Sequence, residues 1–287
     1  MEFTWSRDYR RSMKLEDITP AHCHARARQL LSLAVAIREE MGRAEDTRAL
    51  PEISGAQPRE VYFEALVAWR KAERLAAENG AAPIHVAFEA PSVLELRPGH
   101  VLRVLDGVRD QLLAVAERVG VTERAAEPAI ETQRQPSDVL SVVLHVNREL
   151  SRSLSTPFTP GDVYRTVALA SQYANRFGAH AAVAPFERKR RPADCYERLE
   201  ACLARTTALI KKRGHEALAA RGTLTDIVPG DVYDLANLVL GEVAYLHALA
   251  PNAAPMQAFE PEPSGARLPS HVHQLARTLE AQLASLA

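Results

Sequence analysis

Thr159-Pro160-Gly161-Asp162-Val163-Tyr164 decides the fold, because near-copies of this stretch recur seven more times. They begin at Pro20 (Pro-Ala-His-Cys-His), Pro58 (Pro-Arg-Glu-Val-Tyr), Pro98 (Pro-Gly-His-Val-Leu), Pro136 (Pro-Ser-Asp-Val-Leu), Pro192 (Pro-Ala-Asp-Cys-Tyr), Pro229 (Pro-Gly-Asp-Val-Tyr) and Pro269 (Pro-Ser-His-Val-His). The shared rule is Pro, any residue, Asp/Glu/His, Val/Cys, then Tyr/His/Leu. This is the chemistry of a helix start. Proline is tolerated in a first turn because the N–H it lacks would be unpaired there anyway. An acidic group two residues later sits near the free N–H groups and the positive end of the helix dipole. Thr159 with Asp162 also forms the pattern of a capping box.

The residues after each start extend the reading. After Pro98 the apolar positions are Val101, Leu105, Val108, Leu112, Val115 and Val119; after Pro20 they are Cys23, Ala27, Leu30, Ala34, Ile37 and Met41. Spacings that alternate four and three place one stripe on one helix face. The pattern predicts an all-α fold of eight amphipathic helices near 19–41, 58–79, 98–119, 136–154, 160–177, 192–213, 229–250 and 269–286. The starts are nearly evenly spaced from Pro20 through Pro58 and Pro98 to Pro136, and again, less evenly, from Pro160 through Pro192 and Pro229 to Pro269. The step from Pro136 to Pro160 is much shorter than any other. It divides the chain into four helices and four helices. It predicts two tandem up-down four-helix bundles, 1–156 and 157–287, with a single eight-helix array as the competitor. The intervening loops, mostly of about 13 to 19 residues, are long for compact bundles.

Bulk properties narrow the function. The formal net charge of -1 gives no global attraction to nucleic acid or anionic membrane. No stretch approaches the roughly 18 apolar residues of a membrane span. The polar start, Met1 to Met13, lacks the apolar core of an export signal and points to the cytoplasm. The three cysteines, Cys23, Cys195 and Cys202, all fall on apolar stripes and read as small buried hydrophobes.

Several groups could carry chemistry. His22 and His24, like His271 and His273, flank one residue at a helix start, and His100 is also a histidine in the third place of its phrase. An HxH pair could bind a divalent metal, but its two side chains diverge by about 200° around a helix, so capping is the better reading and no metal is expected. No di-iron motif, phosphate-cradling glycine loop or zinc-protease motif is present, and no catalytic residue or cofactor is assigned. Arg191, Arg198, Arg205 and Lys212 recur every seven residues along one helix flank, a surface for an anionic partner or simply a solvated edge. Without interleaved aromatics, nucleic acid is the weakest partner class. Tyr62, Tyr164, Tyr196 and Tyr233 close the phrase and are expected to cover core edges.

An up-down arrangement would bring His22, His24, His100, Asp162, Tyr164, Asp231 and Tyr233 to a bundle junction beside the apolar loop 81–97, where a ligand could bind. The leading expectation is a non-enzymatic bundle that binds a protein or ligand. The alternatives are a small-molecule or metal sensor with a junction pocket, and an enzyme with a site built from loops.

Overall fold

The computed structural model describes residues 14–82, 84, 92–122, 128–222, 224–250, 253 and 266–286. Every phrase starts a helix, and each helix opens on its proline. They are α1 (Pro20–Glu40), α2 (Pro58–Glu78), α3 (Pro98–Val119), α4 (Pro136–Ser153), α5 (Pro160–Arg176), α6 (Pro192–Lys212), α7 (Pro229–Ala248) and α8 (Pro269–Ala284). Strand among the described residues is confined to Glu52–Ser54 and Ala219–Arg221.

The chain divides into two compact units, Met1–Ser155 and Thr156–Ala287. In the first, α1 packs against α3 and α4, and α2 packs against the same two helices. Consecutive α1 and α2 therefore face each other across the diagonal. The second unit repeats the arrangement, with α5 and α6 each packed against α7 and α8.

The up-down part of the expected architecture is overturned. All four helices of a unit run in the same direction. Pro20, Pro58, Pro98 and Pro136 line one small cavity at one end of the first unit, and Pro160, Pro192, Pro229 and Pro269 do so in the second. Bonds between helices join residues at similar distances from their own prolines. Cys23 Sγ donates to Pro98 O (3.2 Å), Cys195 Sγ to Pro269 O (3.2 Å), and Ser171 Oγ to Gln282 Oε1 (2.9 Å). At the far end, a Cβ built on Gly120, after α3, would lie 3.8 Å from Oε1 of Glu40, the last residue of α1.

Loop length is the physical reason. An up-down bundle needs only a few residues between neighbours, whereas a parallel one must carry the chain back along the whole helix, about 30 Å. The crossovers 41–57, 79–97 and 120–135 in the first unit, and 177–191, 213–228 and 249–268 in the second, are all long enough for that return. Those that can be followed lie along the bundle sides and are fastened there. Arg152 Nε donates to Ala44 O at the start of crossover 41–57, and Ala56 N donates to Ser137 Oγ at its end. Ile84 N donates to Gln111 Oε1 halfway along α3, so this part of the apolar loop lies against the helix side rather than capping the end. Residues 85–91 of this apolar loop lie outside the described residues.

Level starts place equal offsets in one layer. The third, seventh, tenth and fourteenth residues after each proline build the core: Cys23, Val61, Val101 and Val139; Ala27, Ala65, Leu105 and Val143; Leu30, Ala68, Val108 and Val146; Ala34, Ala72, Leu112 and Leu150, all buried. In the second and fourth layers small diagonals (Ala27, Ala65; Ala34, Ala72) oppose larger ones (Leu105, Val143; Leu112, Leu150), which fills the layer without overpacking. The spacing is the heptad spacing of helices that coil around one another.

Candidate functional site

The end at which all helices begin is the most chemically organised part of each unit. Around it, the third-place residue of every phrase bonds back to the backbone before its proline. The carboxylates of Glu60, Asp138, Asp162, Asp194 and Asp231 accept from Gln57 N, Gln135 N, Thr159 N, Arg191 N and Val228 N at 2.7–2.9 Å. At the other three starts an imidazole does the work. Nδ1 of His22, His100 and His271 accepts from Thr19 N (3.1 Å), Arg97 N (3.1 Å) and Leu268 N (3.0 Å). An Nδ1 that accepts an N–H must be unprotonated. Thr159 also completes the reciprocal bond of its capping box, its Oγ1 accepting from Asp162 N at 3.3 Å.

Inside the ring of prolines lies an apolar floor. In the first unit Cys23, Val61, Val101 and Val139 leave about 10 Å³. In the second Val163, Cys195, Val232 and Val272 leave about 40 Å³. Around the second opening, Val228 and Leu268 are 42% and 57% exposed. Phe186, 44% exposed, lies 5.0 Å from the His271 ring. Phe158 stacks on the buried Tyr233 at 4.0 Å, and the Arg267 guanidinium lies 4.3 Å over Tyr164.

Parallel helices thus gather His22, His24 and His100 at one end of the first unit, and Asp162, Tyr164, Asp231 and Tyr233 at one end of the second. The HxH pairs separate as helix geometry requires: the first imidazole caps, while His24 and His273 turn inward and are 6% and 4% exposed. Among the described residues no group of three or more His, Cys, Asp or Glu is arranged to hold a metal. The basic stripe on α6 is partly neutralised. Glu280 of α8 bridges Arg198 (3.4 Å) and Arg205 (3.2 Å), and Arg191 serves as the residue before the α6 proline. The cysteines are free and buried. Burial pushes the Cys23 and Cys195 thiols up to about 12, and Cys202 higher still.

One constellation escaped the sequence reading. Beside His24, Arg28 of α1 pairs with Glu131 (3.1 Å); Glu131 also pairs with Arg134, and Arg134 approaches Asp138 (3.8 Å). Beside His273, Arg277 of α8 pairs with Glu187, Glu187 pairs with Arg190, and Arg190 pairs with Asp194 (3.4 Å). The two networks are the same network. Each joins Glu-x-x-Arg-x-Pro-x-Asp, at the end of a crossover, to Pro-x-His-x-His-x-x-x-Arg on the neighbouring helix. The repeated spacing was visible in the sequence; that these two segments meet was not. Burial depresses both inner imidazoles, helped by Arg134 at His24 and Arg190 at His273 and opposed by the nearby carboxylates.

No family model, curated protein or solved structure matches the chain.

Proposed function

We propose that this protein is a non-enzymatic binding module that takes an apolar side chain of a protein partner at the proline-ringed opening of its second unit. The observation that carries this reading is the opening itself: an apolar floor, a void of about 40 Å³, and exposed Val228, Leu268 and Phe186 beside it. Size favours a protein over a metabolite. A single water needs about 10–15 Å³ by the same measure, so the void admits the tip of one side chain, whereas small-molecule sites are many times larger. The first unit, with its tighter floor, reads as a structural copy, and the shared helix order and shared phrase support a tandem duplication.

The test is a photo-crosslinking residue placed at position 268 in cells that make the protein, with position 113 as a control elsewhere on the surface. The expected result is a discrete protein adduct from position 268 that disappears when Val228→Asp is added. Asp before a helix proline is a good cap, so that change removes apolar surface without weakening the helix start. Equal labelling from both positions, or none from 268, would overturn the reading.

A further inference from the structure

We propose that the two His-Arg-Glu-Arg-Asp networks are acid-sensitive latches, each holding the end of one crossover against the start of a neighbouring helix until its paired imidazoles take up protons. In the first unit the latch fixes residues 131–138 to α1; in the second it fixes 187–194 to α8.

Charge balance defines the closed state. Four charged groups face His24: Arg28 from its own helix, Glu131 and Arg134 from the crossover, and Asp138 from α4. Four corresponding groups face His273: Arg277, Glu187, Arg190 and Asp194. Two guanidinium groups cancel two carboxylates in each, and because these side chains are 32–52% exposed, the neutral, buried imidazole completes a balanced cluster at the surface. A proton on His24 or His273 adds an uncompensated charge on a ring that is itself buried, 6% and 4% exposed. The outer imidazole adds a second sensitivity. Protonated Nδ1 of His271 would point a donor at the Leu268 N–H it now accepts from. His22 meets the same conflict at Thr19 N, although Thr19 Oγ1, at 2.9 Å, offers it a partial substitute. Lifting the crossover relieves the first conflict by exposing the inner ring to water, whereas the outer one is met within the helix start itself. Phe186, on the His271 ring, would move with the crossover.

The sign follows from linkage. His24 and His273 titrate below their unfolded value of about 6.5, so the closed state binds fewer protons than the open one. Latch stability is complete above about pH 6.5 and is lost as pH falls through the depressed values. Opening grows by up to about tenfold per pH unit for each proton taken up.

The other starts supply the control. They carry Asp or Glu in third place and Tyr or Leu in fifth, save for the His100 of α3, so His22→Asp, His24→Tyr, His271→Asp and His273→Tyr combined rewrite both latches in the chain's own alternative. Hydrogen exchange of the full chain, corrected for intrinsic rates, should show protection of 128–135 and 184–191 falling at least about tenfold between pH 7.5 and pH 5. Crossover 41–57 has no histidine and should not change. The fourfold variant should be flat at all three. Unchanged wild-type protection, or the same fall in the variant, would overturn the proposal. If the variant does not fold, imidazole titration of the wild type by NMR decides: His24 and His273 should titrate below their unfolded value, together with backbone shifts in the two crossovers. Titration at or above that value would overturn it.

Discussion

Gly99 and Gly161 occupy the same place, one residue past the proline of α3 and of α5, and they illustrate how local surroundings set the cost of a side chain. A Cβ at Gly99 would sit 2.6 Å from Leu15 Cδ2 and 2.7 Å from Leu15 O, and a backbone atom cannot simply swing aside. At Gly161 the nearest atom is Thr159 Oγ1 at 3.4 Å. Gly99→Ala should therefore cost about 1–3 kcal/mol in chemical denaturation, and Gly161→Ala should stay within about 0.5 kcal/mol. The thiols make a second test. With Cys23 and Cys195 raised to about 12 and all three sulfurs buried, a thiol reagent at neutral pH should label the native protein far more slowly than the denatured one. At this scale the sequence was largely legible. Cysteines on apolar stripes are core, and third-place residues are caps. The inward turn of His24 and His273 was not legible, because it depends on a neighbouring crossover whose position no local pattern encodes.

Single elements show where legibility ended. Each helix start could be read to within a residue or two, because proline and its cap are local chemistry. Helix direction could not, because the same phrase opens a helix pointing either way. The clue was loop length, since an up-down bundle leaves crossovers as long as 41–57 and 79–97 without a purpose. Parallel packing sets like ends side by side, and the five carboxylate caps offset that clustering of free N–H groups. At the other end, Arg38 near the close of α1 donates to Glu149 of α4 at 2.5 Å and to Arg43 O at 2.8 Å. Both side chains of this pair are at most 10% exposed. Arg38→Met should cost about 3–5 kcal/mol, because Glu149 is left charged and buried, and adding Glu149→Leu should recover most of the loss. Urea denaturation of the two variants measures both steps.

For the whole molecule the decisive measurement is one of direction. Spin labels on Glu40→Cys and Glu117→Cys mark the ends of α1 and α3, which lie side by side, and neighbouring helix axes are about 8–10 Å apart. Dipolar spectroscopy should return a separation well short of the roughly 30 Å length of a helix. A helix-length separation would restore the up-down arrangement. The slow native thiols leave the introduced cysteines as the reactive ones.

Running the four helices of a unit the same way also has a kinetic consequence. An up-down bundle can fold from hairpins of sequence neighbours, and so it folds fast. Among the described residues no such helical hairpin is present. The contacting helices nearest in sequence within the first unit, α2 and α3, start at Pro58 and Pro98, with a full crossover between them. The most distant pair, α1 and α4, starts at Pro20 and Pro136, nearly the whole length of the unit. Every core layer must wait for large loops to close, as in a β-sandwich. Stopped-flow refolding should thus fall in the millisecond-to-second range of proteins built on distant contacts, rather than the microsecond-to-millisecond range of ordinary helical bundles.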